Sequence, residues 1–336
     1  MTVQVPAKQI GLPGLVLNFP GTLPDGCHMV FARNALGIEI CQNGLRMVHV
    51  SGKPHRPSLM THQEVQFPPG TLRLSLKEEN VLAPPQFIAK VQEAHLKLLA
   101  GHSRVSVSLP DAAGHVLLLD LETRFKGKQE GIDIIRWKLK KSFPVDINET
   151  HIDYQPLQER ENGELSLLVS LISRRVVTQY ENLLAEAGLQ PNRIDFTTFN
   201  LFRYFSSRLE NIDNALLVVN YAGTLSVMIF NNGILDFYRS KEVVNSSDDT
   251  HRLYREISSS LLFYADTRPG WTLGEVFFIS EQNAAEIMRG ILTEVTEQTP
   301  VLLDASRVLI QPGNLSPGSS TILNLAAAVG AATRNL

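Results

Sequence analysis

Apolar positions along this chain recur with two different periods, and the switches between them mark out its elements. The run ALGIEICQNGLRMVHVSG (35–52) reads as a β-hairpin. Asn43-Gly44 is expected at its turn, because both types tolerate the positive φ of a type I′ geometry. A third strand is expected at TLRLSL (71–76). Pro84-Pro85 then open a helix whose inner face is Phe87, Ile88, Val91, His95 and Leu98, with Gly101 just past its end. Strands follow at 105–110 and 116–121. Ile132, Ile135, Leu139 and Phe143 share one helix face, and Pro144 stops that helix. Strands at 151–157 and 164–172 precede a helix carrying Val176, Tyr180, Leu183, Leu184 and Ala187, with Gly188 suited to its C′ position.

The second half begins with a strand at 192–199 and a three-stranded meander over 215–243, with Asn232-Gly233 at its second turn. A helix carries Leu253, Ile257, Leu261 and Tyr264. EVFFIS (275–280), with four apolar residues in a row, reads as a short strand, and the next helix presents Ala284, Ile287, Ile291 and Val295. A strand is expected at 301–304 and a loop at 316–320. Thr321 is expected to cap a last helix of small apolar residues, ILNLAAAVGAATR. The order hairpin, strand, helix occurs from Ala35 and again from Ala215, an internal duplication with a period of roughly 180 residues. The segment between Pro110 and Arg193 fits neither copy and reads as an insertion. Hairpins between neighbouring strands exclude an all-parallel βαβ series, which leaves an α/β chain of two duplicated lobes plus an inserted unit. Residues 1–30, dense in Pro and Gly, read as an irregular arm.

Composition narrows the function classes. With 31 Lys+Arg against 34 Asp+Glu, a net charge of -3 and 43% hydrophobic residues, the chain is neither disordered nor equipped for bulk binding of nucleic acid. Its 336 residues suit about two domains at roughly 150 residues each. Cys27 and Cys41 form no disulfide framework and lack CxxC spacing, which suits a reducing compartment. The opening MTVQVPAKQIGLPG, without a charged start followed by an apolar core, does not read as a secretory signal. The apolar stretches LSLLVSLIS and LNLAAAVGAA fall short of the roughly 20 residues of a membrane span.

Most motifs of small-molecule chemistry are missing. Gly52-Lys53 and Gly127-Lys128 do not belong to a P-loop, and there is no GxGxxG, GxSxG or HExxH. The nine histidines lack zinc spacing. Lys138, Lys140 and Lys141 beside Trp137 read as a solvated helix face in preference to an anionic-partner site. Trp271 reads as a loop anchor.

The duplicated hairpins LGIEICQNGLRMVHV (36–50) and NALLVVNYAGTLSVMIFNNGILDFYR (214–239) resemble the two phosphate loops of the actin-like ATPase superfamily. SVSLPDAA, the segments IIRWKLKKSFPVDINETHIDYQPL and LLVSLISRRVVTQYENLLAEAGLQPNRIDFTTFNLFR, and the tail LAAAVGAATR together resemble the PilM family of type IV pilus assembly, to which the cytoplasmic domain of GspL is related. The resemblance covers roughly 31–336. It implies an actin-like ATPase fold, of the ribonuclease H-like duplicated kind, with an inserted small α/β subdomain as in FtsA. The implied layout puts 31–110, 193–212 and 321–336 in the first lobe, 111–192 in the insertion and 213–320 in the second lobe. The implied role is a cytoplasmic scaffold, recruited to the inner-membrane face. It would grip the N-terminal tail of a PilN-like membrane protein and link it to the assembly motors.

Nucleotide contacts implied by the resemblance fall on Glu39, Asn43, Gly44, Asn220, Gly223 and Thr224, with ATP and Mg²⁺ as ligands. The motifs depart from the family at three places. Glu39 stands for Asp and Cys41-Gln42 for Gly-Ser, although close backbone approach to phosphate favours glycine. Asn220 lacks the charge of the second-loop Asp. Glu281-Gln282-Asn283-Ala284 replace a Gly-Gly pair, and Glu281 at a helix start repels an anion. These departures point to a non-hydrolysing ATPase relative with no assigned catalytic residue, cofactor or metal site. The alternative is an ATP-binding member whose nucleotide state controls its partner. A sugar- or acetate-kinase relative is the third class, but the pattern nominates no acidic general base for it. The partner peptide is expected between the first lobe and the insertion, on strand edges at 116–121 and 169–173, by β-addition.

Overall fold

The computed structural model describes residues 33–122, 125–143, 145–160, 163–210, 212–243, 249–310 and 319–336. The expected arm over 1–30, Cys27, the stop at Pro144 and positions 316–318 of the expected loop lie outside the described residues.

The chain opens with β1 (Asn34–Cys41), β2 (Gly44–Lys53) and β3 (Arg56–Gln66), followed by α1 (Pro84–Leu98) and β4 (Arg104–Leu109). Three strands and a helix then form a separate layer: β5 (His115–Leu121), α2 (Lys128–Leu139), β6 (Thr150–Glu159) and β7 (Leu165–Ser173). The chain returns through α3 (Arg174–Glu186), β8 (Gln190–Phe196) and α4 (Thr197–Tyr204). A second set comprises β9 (Ala215–Tyr221), β10 (Thr224–Asn231), β11 (Ile234–Glu242), α5 (Asp249–Thr267), β12 (Glu275–Ser280), α6 (Ala285–Thr296) and β13 (Val301–Leu302), and α7 (Ser319–Ala332) closes the chain.

Two five-stranded sheets have the same order, β3-β2-β1-β4-β8 and β11-β10-β9-β12-β13. In each, a three-stranded antiparallel meander is extended by two strands parallel to its first strand. The duplication read from the sequence is therefore a duplication of topology. β5, β7 and β6 form a third sheet with β7 in the middle, and its core contains Ile135, Leu139, Ile152, Leu167 and Val169. α3, expected within the insertion, instead buries Val176, Tyr180 and Leu184 in the large core of the first sheet, beside Phe87 and Val91 of α1.

Several local readings shift. The third strand is β3, not 71–76, where only Leu72 bridges to Val81. β3 lies at the sheet edge and alternates only loosely, with Leu59 and Val65 buried among polar residues, so its period-2 signal is faint. Leu99, and not Gly101, takes the left-handed conformation after α1. Gly188 does so after α3, with φ +89°. The helix α7 starts at Ser319, so Thr321 lies inside it and does not cap it. Among the described residues no helix is long and apolar enough to cross a membrane.

The seat of α7 is steric. Leu325 to Val329 are fully buried between the first sheet and α4. A Cβ on Gly37 of β1 would run into the Ala328 carbonyl, and a Cβ on Gly330 into the Asn200 carbonyl of α4. Gly37→Ala is expected to lower stability by about 2–3 kcal/mol through overpacking, read as a fall in urea midpoint at constant m-value. Gly101→Ala, with open space around it, should leave the midpoint unchanged.

Candidate functional site

The first hairpin closes with Cys41 opposite Gly44, so its two-residue turn is Gln42-Asn43 and not Asn43-Gly44. Neither turn residue has positive φ. Gly44 serves a different need, because a Cβ there would strike the Val65 carbonyl of β3. The second copy does follow the sequence reading: Ala222 and Gly223 turn with φ 49° and 76°, and Asn232 and Gly233 with φ 52° and 76°.

The shifted turn changes the register and thereby the chemistry. Asn43-Gly44 at the centre would set Glu39 opposite Val48, whereas the observed turn sets it opposite Arg46. Glu64 of β3 faces Arg46 from the other side. Arg46 Nη1 lies 3.2 Å from Glu39 Oε2, and its Nε lies 3.5 Å from Glu64 Oε2. The same Nη1 donates to Cys41 Sγ at 3.2 Å and to the Tyr221 hydroxyl at 3.0 Å. Tyr221 ends β9 of the other sheet, and its hydroxyl reaches Glu39 Oε2 and the Asn324 carbonyl of α7, each at 3.3 Å. Glu39 is only 1% exposed. Burial pushes its carboxyl up, to about 7, against the pull of the Arg46 guanidinium. Burial, and then the Glu39 charge, push the Cys41 thiol up too, as they do the Tyr221 phenol.

Arg46 also borders a cleft of about 780 Å³ between the two five-stranded sheets, with Glu281, Asn283, Asp304, Arg307 and Asn324 on its other walls. Glu281 does not sit at the start of α6, whose first-turn acid is Glu286. Its Oε1 instead accepts the backbone N–H of Ala222 in the second hairpin turn, at 3.2 Å. A carboxylate of the chain itself thus holds a donor that a phosphate would need.

The six residues nominated from the sequence are not gathered at one point. Glu39 meets Arg46 at the edge of the cleft. Asn43 is exposed in its turn, and its carbonyl accepts from the Phe67 N–H at 2.9 Å. With Gly44 it anchors β3. Asn220 is half-buried and level with Ser280 of β12. The Gly223 carbonyl accepts from the Val243 N–H at 2.8 Å. Thr224 lines a separate cavity of about 360 Å³, together with Asp111 and Tyr238.

Asp111 is a half-buried acid that the sequence pattern did not nominate. It follows β4 and accepts from Thr198 at the start of α4, through N–H at 3.2 Å and hydroxyl at 3.1 Å. Ser226 Oγ lies 3.0 Å from both Thr198 Oγ1 and Ser240 Oγ, which extends the network into the second lobe. Burial pushes the Asp111 carboxyl up, to about 7. Its place in SVSLPDAA carried no sign of this, since the partners are more than eighty residues away.

These residues fit a magnesium-bound nucleotide poorly. Glu39 already faces a guanidinium, Asn220 is neutral, the Ala222 N–H faces Glu281, and no cluster of three metal-binding side chains occurs among the described residues.

A second concavity, of about 400 Å³, lies where α2 faces α3, with Ile132, Arg136, Val177 and Glu181 among its walls. The strand-edge expectation is corrected in part. Residues 169–173 belong to β7, the central strand, which pairs with β6 throughout that stretch and with β5 as far as Leu171. Residues 116–121 belong to the edge strand β5, which packs against β11.

No family model and no curated protein matches the chain. Solved structures do. A chain of a PilM-PilN type IV pilus biogenesis complex is 20% identical with a TM-score of 0.72, over 90% of this chain and 98% of that one. A protein of actin-like ATPase fold and unknown function from Bacteroides thetaiotaomicron is 12% identical with a TM-score of 0.51, over 83% and 93%. The cytoplasmic domain of EpsL, an inner-membrane component of the Vibrio cholerae type II secretion system, is 10% identical with a TM-score of 0.46, over 88% and 94%. The first two place the chain in the actin-like ATPase fold, and its structure is PilM-like.

Two outcomes follow from Glu39 and Asp111. At pH 8, where Glu39 is ionised, Arg46→Met should cost about 3–5 kcal/mol in urea unfolding, because Glu39 keeps its burial and loses its counter-charge. The double variant Glu39→Leu, Arg46→Met should recover most of that loss. Both Glu39 and Asp111 hold a proton in the folded chain where the unfolded chain has released it. Folding therefore takes up protons between about pH 4 and about pH 7, and their contribution to stability falls as pH rises through that window. Asp111→Asn should flatten the pH dependence of the urea midpoint there.

Proposed function

We propose that this chain is a cytoplasmic scaffold of a type IV pilus or related type II secretion platform, held at the inner-membrane face by a PilN-like protein's N-terminal tail. The observation that carries this reading is the PilM-like structure itself: the match extends over 98% of a chain from a PilM-PilN complex. The groove between α2 and α3 is the docking place we assign to the tail. Ile132 and Val177 offer an apolar floor, and Arg136 and Glu181 offer one charge of each sign at its rim. The pilus assembly motors are further partners in this reading. The division of the chain follows its sheets, with the insertion ending at β7.

The scaffold works without ATP hydrolysis in this proposal. Arg46 takes the position of a cation beside Glu39, and Glu281 the position of an anion at the second hairpin turn. In this reading the chain's own charges fill the places of Mg²⁺ and phosphate, and the Tyr221 hydroxyl links the second lobe to the Glu39–Arg46 pair. The 780 Å³ cleft keeps the second reading alive, an ATP-binding protein with nucleotide-controlled partner binding, because its size is that of a ligand site.

Calorimetry separates these readings. A synthetic PilN-like N-terminal peptide should bind the folded chain, and Ile132→Asp or Glu181→Arg should weaken it by about tenfold, ~1.4 kcal/mol. A folded chain with no affinity for the peptide would overturn the scaffold reading. Mg-ATP should give no binding heat; micromolar affinity abolished by Gly223→Asp would establish the ATP-binding alternative instead.

A further inference from the structure

The end of α2 presents a combination that the peptide groove does not use. Trp137 is 79% exposed, the second most exposed large apolar side chain among the described residues. Nothing in the described structure stacks on it, and it stands outside the core of its own subdomain. Trp271, the other tryptophan, is by contrast half-buried, edge-on to Tyr264 at 4.9 Å. Lys140 and Lys141 follow Trp137 by three and four residues, which sets them on its side of the helix end, and both are exposed.

The local charge is strongly positive in a chain of net charge -3. Between positions 126 and 143 stand six Lys or Arg against Glu130 and Asp133. The acids nearby are engaged elsewhere. Asp133 faces Arg136 at 2.8 Å and Gln129 at 3.1 Å. Glu130 accepts from the Lys126 backbone N–H, and Asp146 from that of Asn148. Lys138 donates to the Asp120 carbonyl, which leaves its charge without a carboxylate. No ion pair is formed by Lys138, Lys140 or Lys141 among the described residues.

We propose that this patch, Trp137 with Lys138, Lys140 and Lys141, docks on an anionic lipid surface. An indole on a solvated helix end suits the interfacial zone of a bilayer, where its ring is apolar and its N–H stays wet. Lysines beside it meet the negative leaflet, and a chain with no excess positive charge overall is thereby oriented by one face. The patch and the groove share α2 but not side chains, since the groove uses Ile132 and Arg136. The two proposals therefore succeed or fail separately.

The test is flotation of the full chain with vesicles of phosphatidylcholine alone and with about 30% phosphatidylglycerol at low salt, with tryptophan emission followed in parallel. Expected are binding to the anionic vesicles only, a blue shift in emission, and release by added salt. Trp137→Ala, and Lys140→Glu with Lys141→Glu, should each reduce binding at least about fivefold with unchanged melting curves and unchanged affinity for the PilN-like peptide. Failure to bind anionic vesicles at low salt overturns the proposal and leaves the patch to a protein partner. Equal binding by the variants overturns it as well.

Discussion

How closely α7 can approach the first sheet decides the shape of everything around the cleft. A helix packed on a sheet normally keeps side chains between the two backbones. Here Gly37 and a run of alanines remove them, so the Ala328 carbonyl lies against β1 itself. On the far side Gly330 admits the Asn200 carbonyl of α4 in the same way. α7 is thereby clamped between β1 and α4, and its first turns project Asn324 to the junction of the two lobes. The Asn324 carbonyl then receives the Tyr221 hydroxyl, which also touches Glu39 and Arg46. The position of a helix set by missing side chains thus fixes a place where a buried carboxylate, a guanidinium and a phenol from the other lobe converge.

That convergence gives the cleft its character. In a low-dielectric junction an uncompensated carboxylate is costly, and the fold supplies a guanidinium from the neighbouring strand. At the second hairpin turn a carboxylate again meets an N–H donor, Glu281 accepting from the Ala222 backbone. Each hairpin is thus paired within its own lobe, and the Tyr221 hydroxyl joins the second lobe to the Glu39–Arg46 pair of the first. The electrostatic needs of these groups are thereby met within the chain itself, which is the physical ground of the platform reading proposed above.

Much of the architecture was legible from periodicity. The meander over 215–243 and the buried strand at 275–280 appear where their patterns put them, because long apolar runs leave few alternatives. The duplication was legible because two copies of one pattern reinforce each other. β3 was not, since an edge strand tolerates polar residues on both faces. α3 was assigned to the insertion by continuity of sequence, yet its apolar stripe finds α1, which lies far away along the chain. In the candidate site, Glu39 was legible from the hairpin motif, but Arg46 was hidden by a one-residue error in the turn. Asn-Gly is the favoured pair for a type I′ turn, and here the close passage of β3 claimed the glycine first.

The sequence alone determined the α/β class, the two copies of a hairpin-led unit and the foreign segment between them. These are properties of residue type at fixed spacing, and backbone sterics and burial translate them directly into local structure. Tertiary structure alone decided that Glu39 faces Arg46 and Tyr221, that Asp111 joins a hydroxyl chain from the second lobe, and that α2 and α3 face each other across a groove. Each of these joins groups distant along the chain or set opposite by register. Their energies depend on distance and desolvation, quantities that exist only once the chain has folded.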